Sequence, residues 1–546
     1  MASIEIVLVM LLALVASGYL VRMLPFALPL PLMQIALGAL IAALGGRSVQ
    51  LEPDVFFLLF LPPLLFLDGW RIPKEGLFGD RGLILQLAFG LVLFTVLGAG
   101  FLIHWMIPAM PLPVAFALAA IISPTDPVAV SAIAARVPIP KRLMHILEGE
   151  SLFNDASGLV CFRFAVAAAL TGGFSLVSAS LTFLWVALAG AAVGVGVTWG
   201  ASLAQRWLSR RFGEESGSSI LVSLLIPFGA YLLAEHLHAS GILAAVAAGV
   251  SMSFVELSGR ALATTRVHRA VVWDTLQFAL NGLVFVLLGE QLPGIVRDAY
   301  TALKESGRHS PWWLLLYVLA INLALALLRL LWVWTTMHWN LFRSRRRGEK
   351  VERPPWRLVI ATSLAGVRGA VTLAGVLTLP LTLPQGAPFP ARNLAIFLAA
   401  AVILVSLIAA SIGLPYLLEG LQIPEEPSER REIELARREA AAKAIAAIEQ
   451  AQHTLAEKNP ADADLYTNAA SRVMSTYQRR LGGGKSGGDI HAEELRKADA
   501  AEIALRLAAL QAERQEIFRL ARQRRISDET ARRLVREIDL LEERYR

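Results

Sequence analysis

The sequence predicts an all-α polytopic membrane protein that carries a helical tail at its carboxyl end. Hydrophobic residues make up 55% of the 546 residues and charged residues only 17%, a balance too apolar for a water-soluble protein of this length. Apolar runs long enough to cross a bilayer follow one another up to about residue 420. Beyond that point, residues of both charges replace them.

Runs of about twenty apolar residues predict thirteen membrane-spanning helices. The second is weak because prolines crowd its start, and the eighth and ninth would merge, leaving twelve, if the chain did not turn at His238-Ala239-Ser240. The first run lacks a basic segment and a cleavage site, so we interpret it as a retained helix and not a signal peptide. The predicted spans are 3–22, 26–45, 54–70, 82–107, 113–135, 143–171, 175–204, 218–237, 239–256, 268–290, 311–337, 356–381 and 392–418.

The basic residues of the connecting loops predict the orientation. With thirteen spans, about twenty Lys and Arg residues fall on the side of the carboxyl terminus and about five on the other. Because cytoplasmic loops are the basic ones, we expect the amino terminus outside and the tail in the cytoplasm. The same distribution argues against a nucleic-acid partner, since the basic residues that give the net charge of +7 lie in short loops between spans of a lipid bilayer.

The tail, residues 424–546, is predicted to be separate from the membrane domain, residues 1–423. From Gly420 to Arg546 the chain has 23 basic and 23 acidic residues. The stretch EEPSERREIELARREAAAKAIAAIEQAQHTLAEK is rich in strong helix formers, and two further helical stretches follow the linker GGGKSGGD. The tail is either a dimerisation or stability element or a regulatory one, and its ligand, if it has one, is unknown.

Charged residues inside the apolar spans indicate the functional region. The fifth span contains Asp126 in IISPTDPVAV, and the sixth contains Glu150 and Asp155 in GESLFNDASGLV. Ionisable residues at membrane depth are costly and typically functional. Asp126 and Asp155 lie about twelve or thirteen residues into their spans, roughly 18–20 Å, which is close to the midplane. Asp68 of the third span and Arg368 of the twelfth are predicted at a similar depth.

Spacing along the sixth span separates the roles of its polar residues. Ser151 and Asp155 are four residues apart and share a face, whereas Glu150 diverges from Asp155 by about 140°. A buried Glu150 without a partner would be costly, and Arg368 is a cation at the same depth, so we predict a Glu150–Arg368 ion pair between two spans. Glu148 lies nearer the cytoplasm on almost the same face as Asp155, where it is either part of a funnel or a simple interfacial acid.

The fifth and twelfth spans are both interrupted by residues that break or loosen a helix, SPTDPVAV in one and AGVRGAVTLAG in the other. An odd number of crossings separates the two spans, so they run in opposite directions. This arrangement is typical of inverted repeats with two crossed broken helices around an ion site at the midplane. We expect Asp126 to offset the positive helix ends there and Arg368 the negative ones.

The motifs TDPVAV, GESLFNDASGLV and GVRGAVTLAG, together with LPPLLFLDGW, resemble those of the monovalent cation/proton antiporter family, in its sodium/proton exchanger branch. The resemblance covers the whole membrane part. It implies exchange of sodium or another monovalent cation for protons in a plasma membrane, by a homodimer whose protomers each have a dimerisation and a core subdomain that slide past each other like an elevator. It implies neither an enzymatic activity nor a resident cofactor, and the sequence has no nucleotide-binding loop.

The resemblance also implies roles for individual residues. Asp155 is the carboxylate that binds either the cation or the proton, with Asn154 beside it. Thr125 and Asp126 complete the site and Ser151 is an additional ligand, so that Asp155, Ser151 and Thr125 are the expected sodium ligands.

Two further features of the family have counterparts here. Glu150 and Arg368 correspond to the structural ion pair of the family. Asp68 corresponds to the acid that follows LPPLLF, although many relatives carry this acid one position away.

The chemistry of these residues agrees with cation exchange. Carboxylate, hydroxyl and carbonyl oxygens suit a small hard cation. Burial disfavours the charged form of a carboxylate, so a proton and a cation compete for Asp155, and only the neutralised form crosses cheaply. Because Asn154 stands where a second aspartate would add a charge, one charge moves in each direction and the predicted exchange is electroneutral.

Three other functions are alternatives to this one. The first is a potassium/proton antiporter of the same architecture, because sodium, potassium and lithium differ only in fine ligand geometry. The second is a non-transporting sensor that signals through the tail. The third, an intramembrane aspartyl hydrolase using Asp126 and Asp155, is disfavoured because Asp155 is not flanked by glycine.

Other polar residues within the spans are assigned structural roles. Arg163 and Arg329 are expected to pair or to reach the membrane surface. For Asn281, a hydrogen bond between helices is favoured over contact with an ion.

Overall fold

The structure is a computed structural model of the chain. It describes residues 2–24, 28–45, 53–72, 81–126, 130, 141–172, 176–213, 215–257, 263–305, 312–346, 355–384, 386–419, 427–460, 463–482 and parts of 507–542. The chain divides into two compact units, Met1–Leu421 and Gln422–Arg546.

The first unit is almost entirely helical in its described residues, apart from one isolated β-bridge between Thr382 and Pro388. Its helices are α1 (Ala2–Met23), α2 (Leu30–Gly45), α3 (Pro53–Arg71), α4 (Arg81–Met106), α5 (Leu112–Ile122), α6 (Lys141–Thr171), α7 (Leu176–Phe212), α8 (Ser216–His236), α9 (Gly241–Leu257), α10 (Ala263–Glu305), α11 (Trp312–Arg346), α12 (Trp356–Leu364), α13 (Ala370–Leu377) and α14 (Arg392–Leu418).

Eight helices among the described residues are long and apolar enough to cross a membrane. They are α1, α4, α6, α7, α8, α10, α11 and α14, while α2, α5 and α9 are shorter apolar helices. The all-α membrane class is therefore confirmed at the level of eight candidate spans. The larger number of thirteen stays a prediction.

Helix ends follow the local sequence. Between α8 and α9 the chain turns at His238, whose φ of 55° is left-handed, and the Ala239 N–H donates to the Ala234 carbonyl at 2.8 Å. The eighth and ninth predicted spans are therefore separate helices. The predicted twelfth span is two helices, α12 and α13, with an interruption at residues 365–369.

Helix packing within the first unit separates two groups. The first bundle comprises α1, α2, α3, α7, α8, α9 and α10, in which α2 packs along α10, and α9 packs along both α3 and α7. The second bundle comprises α4, α5, α6, α11, α12, α13 and α14, with α5 packed along α4 and α6. The bundles meet where α10 touches α14 and where α3 approaches α6 and α13.

Glycines bring α2 and α10 together in the first bundle. A Cβ added to Gly38 would overlap the carbonyl of Val286, and one added to Gly289 would overlap the carbonyl of Ile35. The two backbones are thus in direct contact, as small residues allow in membrane helices.

A π-helical stretch at Gln86–Leu91 interrupts α4 in the second bundle. Such a stretch disturbs the regular pairing of backbone carbonyls within a helix. The hydroxyl of Ser157 on α6 donates to the Ala88 carbonyl at 2.7 Å. This bond fixes α6 against α4 one turn beyond Asn154.

The second unit contains α15 (Pro427–Lys458) and α16 (Ala463–Gly482), which pack against each other. The side-chain amide of Gln452 donates to the Thr467 hydroxyl at 3.0 Å across this contact. Ile517 and Ile538 form a small apolar cluster farther along. Most of the predicted glycine linker after α16 lies outside the described residues.

Candidate functional site

The two helix interruptions predicted from the sequence meet in the structure. Helix α5 ends at Ile122, and the chain is non-helical from Ser123 to Asp126, where Pro124 lacks the N–H that would continue the helix. The Asp126 N–H donates to the carbonyl of Val367, in the interruption between α12 and α13, at 2.7 Å. Most of the predicted fifth span beyond Asp126 lies outside the described residues.

Arg368 and Asp126 lie at helix ends of opposite polarity. The Arg368 guanidinium donates from Nε to the Ile122 carbonyl at 3.0 Å and from Nη1 to the Gly366 carbonyl, so it binds the carboxyl ends of α5 and α12. The Asp126 carboxylate lies against Gly369, directly before the amino end of α13, where a Cβ would overlap Oδ2. Each side chain thus carries the sign that the nearby helix end requires.

Glu150 does not pair with Arg368, and the predicted ion pair is wrong in its partner. Arg329 of α11 binds both oxygens of the Glu150 carboxylate, Nη1 to Oε1 and Nη2 to Oε2, the latter at 2.8 Å. The side chains of Arg329 and Glu150 are 3% and 1% exposed. The Nε of Arg329 also donates to the Thr362 carbonyl at 3.2 Å.

The interruption between α12 and α13 explains why Glu150 pairs with Arg329 and not with Arg368. The Arg368 guanidinium donates to carbonyls at the carboxyl ends of two helices, where the helix itself supplies no N–H donor. A Cβ at Gly366 would be 2.8 Å from Cδ of Arg329, so this glycine leaves the space through which Arg329 passes to Glu150. Equal depth in the membrane was therefore not enough to identify the partner.

The ion pair continues into a buried hydrogen-bond chain. The Thr125 hydroxyl donates to Oε1 of Glu150 at 3.2 Å and accepts from the side-chain amide of Asn154 at 3.0 Å. Oδ1 of Asn154 is buried and makes no hydrogen bond with a described residue. Asn154 lies four residues after Glu150 on the same face of α6 and holds Thr125 in place.

A cavity lies between the two bundles and is lined by most of the predicted site residues. Its lining includes Asp68, Thr125, Asp126, Ser151 and Asp155. Asp155 is 8% exposed, and its carboxylate forms no hydrogen bond with another described residue. An unpaired carboxylate facing a cavity is free to bind a cation or a proton.

Two of the sequence candidates do not line this cavity in the described part of the chain. Asn154 belongs to the hydrogen-bond chain, and Glu148 is partly buried two turns before Asp155 on α6. The funnel role of Glu148 stays a prediction.

Three polar residues of the lining were not assigned to the site from the sequence. Thr372 lies in the first turn of α13, just after the interruption, and this position could have identified it from the sequence. Gln277 and Asn281 are four residues apart on α10 and share a face, a signal hidden by the long apolar run around them. Oε1 of Gln277 accepts from Nη1 of Arg71 at 2.8 Å, whereas Asn281 makes no hydrogen bond with any described residue, contrary to the interhelical bond expected for it.

The donor set defines what the cavity can bind. Its described lining offers carboxylate, hydroxyl and amide oxygens and contains neither a thiol nor an imidazole. Such oxygen ligands suit hard cations and do not select transition metals.

Comparison with known proteins agrees with a site for hard cations. Residues 8–420 match the family described as "Sodium/hydrogen exchanger, transmembrane". An Escherichia coli (strain K12) protein named "Uncharacterized Na(+)/H(+) exchanger YjcE" is 42% identical over 98% of this chain and 97% of its own length. A Bacillus pumilus protein named "Sodium, potassium, lithium and rubidium/H(+) antiporter" is 47% identical over 75% of this chain and 60% of its own length.

A solved structure resembles the fold. It is that of the sodium proton antiporter MjNhaP1 from Methanocaldococcus jannaschii, with a TM-score of 0.56 over 77% of this chain and 99% of that one. At 18% identity, this likeness concerns the fold alone.

Proposed function

This chain belongs to the sodium/hydrogen exchanger family of membrane transporters, and on that premise we propose that it exchanges a monovalent cation for a proton at Asp155. The observation that carries the proposal is the position of Asp155. Its carboxylate faces a cavity lined by oxygen ligands and has no described hydrogen-bond partner. Because one carboxylate holds either ion, binding of one excludes the other.

The second bundle is the part that moves in this proposal. Asp155, Ser151 and Thr125 all belong to it, and the Glu150–Arg329 pair ties α6 to α11 within it. The hydrogen bond from Asp126 to Val367 ties the α5 interruption to that between α12 and α13. These links let the bundle carry its site past the first bundle as one body, which is the elevator-type movement expected from the sequence.

Sodium is the proposed cargo, with potassium and lithium as alternatives. The relatives from Bacillus pumilus and Bacillus subtilis are both named antiporters of sodium, potassium, lithium and rubidium. The lining supplies oxygen ligands, which the hard cations sodium, potassium and lithium all accept, so the geometry of the ligands would discriminate between the ions.

The proposed setting is a plasma membrane, with the tail in the cytoplasm and two copies of the chain forming a homodimer. In such a dimer the first bundle would be the dimerisation subdomain and the second bundle the core subdomain. Size measurement of the purified full chain in detergent tests the dimer, and a monomeric mass would contradict it.

The first experiment measures proton movement in proteoliposomes containing the wild type, Asp155→Asn or the control Asp298→Asn. Asp298 is an exposed acid on α10, so its substitution makes the same chemical change away from the cavity. We expect sodium, potassium or lithium to dissipate a pH gradient with the wild type and the control but not with Asp155→Asn. Activity that survives in Asp155→Asn would overturn the assignment of the site, and a silent wild type would favour the sensor.

The same vesicles test competition between the two ions. Protons occupy Asp155 more often as the pH falls, so the half-saturating cation concentration should rise while the maximal rate at saturating cation stays constant. A maximal rate that falls at constant half-saturation would argue against a shared carboxylate.

A further inference from the structure

The walls of the cavity come from both bundles. Asp155 and Ser151 are on α6 of the second bundle, whereas Asp68 is on α3 and Asn281 on α10 of the first. In an exchange driven by movement of one bundle past the other, residues on the first bundle face Asp155 in only one of the two end states. This reasoning rests on the function proposed above.

Asn281 differs from Gln277 and Asn322 in its hydrogen bonding. Gln277, one turn earlier on the same face, has its oxygen engaged by Arg71. Asn322, on α11, donates to the Val318 carbonyl of its own helix at 2.9 Å. Asn281 has no such bond with the described residues and lies half-buried at the cavity wall. The Asn281 amide therefore keeps its oxygen available as an acceptor for a ligand in the cavity.

We propose that Asn281 is a cation ligand of the exchange site, and that it acts in only one of the two end states. Its side-chain oxygen supplies a neutral donor opposite the Asp155 carboxylate. When the second bundle moves, Asp155 and Ser151 carry the cation away, and Asn281 stays behind. The protein then binds the cation with different ligand sets on the two sides of the membrane.

This asymmetry has a measurable signature. Loss of the Asn281 oxygen weakens cation binding on one side of the membrane alone, whereas loss of the Ser151 hydroxyl weakens it on both sides. A substitution cannot change the equilibrium of exchange, so the maximal rates in the two directions must shift to compensate.

The test uses right-side-out and inside-out membrane vesicles from cells that express the full chain and lack other sodium/proton exchange. The half-saturating sodium concentration is measured from each face for wild type, Asn281→Leu, Asn281→Asp and Ser151→Ala. Asn322→Leu is the matched control, because it makes the same change at an amide that bonds within its own helix. Exchange by the wild type in these vesicles is the separate test of the proposed function.

We expect Asn281→Leu to raise the half-saturating concentration about tenfold at one face, as the loss of one neutral polar contact would do, with less than about a twofold change at the other. Asn281→Asp should lower it at that same face, because an added carboxylate strengthens cation binding. Ser151→Ala should raise it at both faces, and the control should change neither.

An equal shift of Asn281→Leu at both faces, or no shift at either, would overturn the proposal while leaving the exchange function intact. If Asn281→Leu does not reach the membrane, Asn281→Asp decides the question. If Asn281→Asp lowers the half-saturating sodium concentration at one face and not at the other, the proposal is supported. Any other result refutes it.

Discussion

At the scale of single residues, Glu150 and Arg329 form a buried ion pair with two hydrogen bonds beside the cavity. Both oxygens of the carboxylate are bound by Arg329, the pair is almost fully buried, and Thr125 is a third donor to the carboxylate, at Oε1. Thr125 in turn lines the cavity. The ion pair therefore positions a residue of the cavity wall without lining the cavity itself.

Breaking this pair should destabilise the protein strongly. Arg329→Gln leaves the Glu150 carboxylate buried without its partner, which is expected to cost about 3–5 kcal/mol of the free energy of unfolding. Thermal unfolding in detergent is measured for Arg329→Gln, Glu150→Gln and the double variant. We expect the double variant to be less destabilised than the two single losses predict together.

As a control, the same set of two single variants and one double variant is measured with Arg368→Gln in place of Arg329→Gln. Since Arg368 donates to helix carbonyls and not to Glu150, its coupling to Glu150→Gln should be smaller. A larger coupling energy with Glu150 for Arg368 than for Arg329 would support the Glu150–Arg368 pair predicted from the sequence.

The residues of the site were predicted well where spacing along a helix determines their position. Depth in the span placed Asp126, Asp155 and Asp68 at one level, and the four-residue spacing placed Ser151 on the face of Asp155, so all four line one cavity. The partner of Glu150 was wrong because depth does not fix the direction in which a long arginine points. Asn281 was missed as a lining residue because the rotation of α10 about its axis depends on contacts distant in sequence.

Among helices, the interruptions were predictable and the close crossings were not. The prolines around Asp126 and the glycines around Arg368 indicate broken helices from the sequence alone. The contact of α2 with α10 depends on which glycines of two distant segments face each other, and a single sequence does not pair them.

Two glycines of α10 provide a matched test of this contact. A Cβ at Gly289 would overlap the backbone of α2, whereas one at Gly294 meets no atom within 4 Å. Gly289→Ala should destabilise the protein by about 1–3 kcal/mol through forced separation of the helices. Gly294→Ala should be neutral or stabilise it by up to about 1 kcal/mol, since alanine favours helix. Unfolding in detergent measures both, and equal stability of the two variants would contradict the close crossing.

On the scale of the whole molecule, the membrane unit and the tail are separate compact units. Composition predicted this division, because it changes where apolar runs give way to mixed charges. Composition did not predict how the helices divide into two bundles, since that division is made by long-range packing. The membrane unit alone contains every described residue that lines the cavity.

Removal of the tail tests its role directly. A chain that ends at Ile423 keeps the cavity and both bundles, so it should exchange cations for protons with a half-saturating sodium concentration within about twofold of the full chain, as expected when no ligand contact is lost. Proton movement in proteoliposomes measures this. Loss of exchange in a correctly inserted truncated chain would show that the tail is needed for transport and would favour a regulatory tail.

The charges buried around the two interruptions have an electrical consequence. Among the described residues there, Arg329 and Arg368 are positive and Glu150, Asp126 and Asp155 are negative. These five charges sum to one unit of negative charge, which a single bound sodium ion or proton would cancel in the proposed exchange. Transfer of one elementary charge through 100 mV involves about 2.3 kcal/mol of work. In the proposed exchange, the membrane voltage would act on this charge when the site is empty and do no work on it when an ion is bound, so concentration gradients alone would set the direction of exchange.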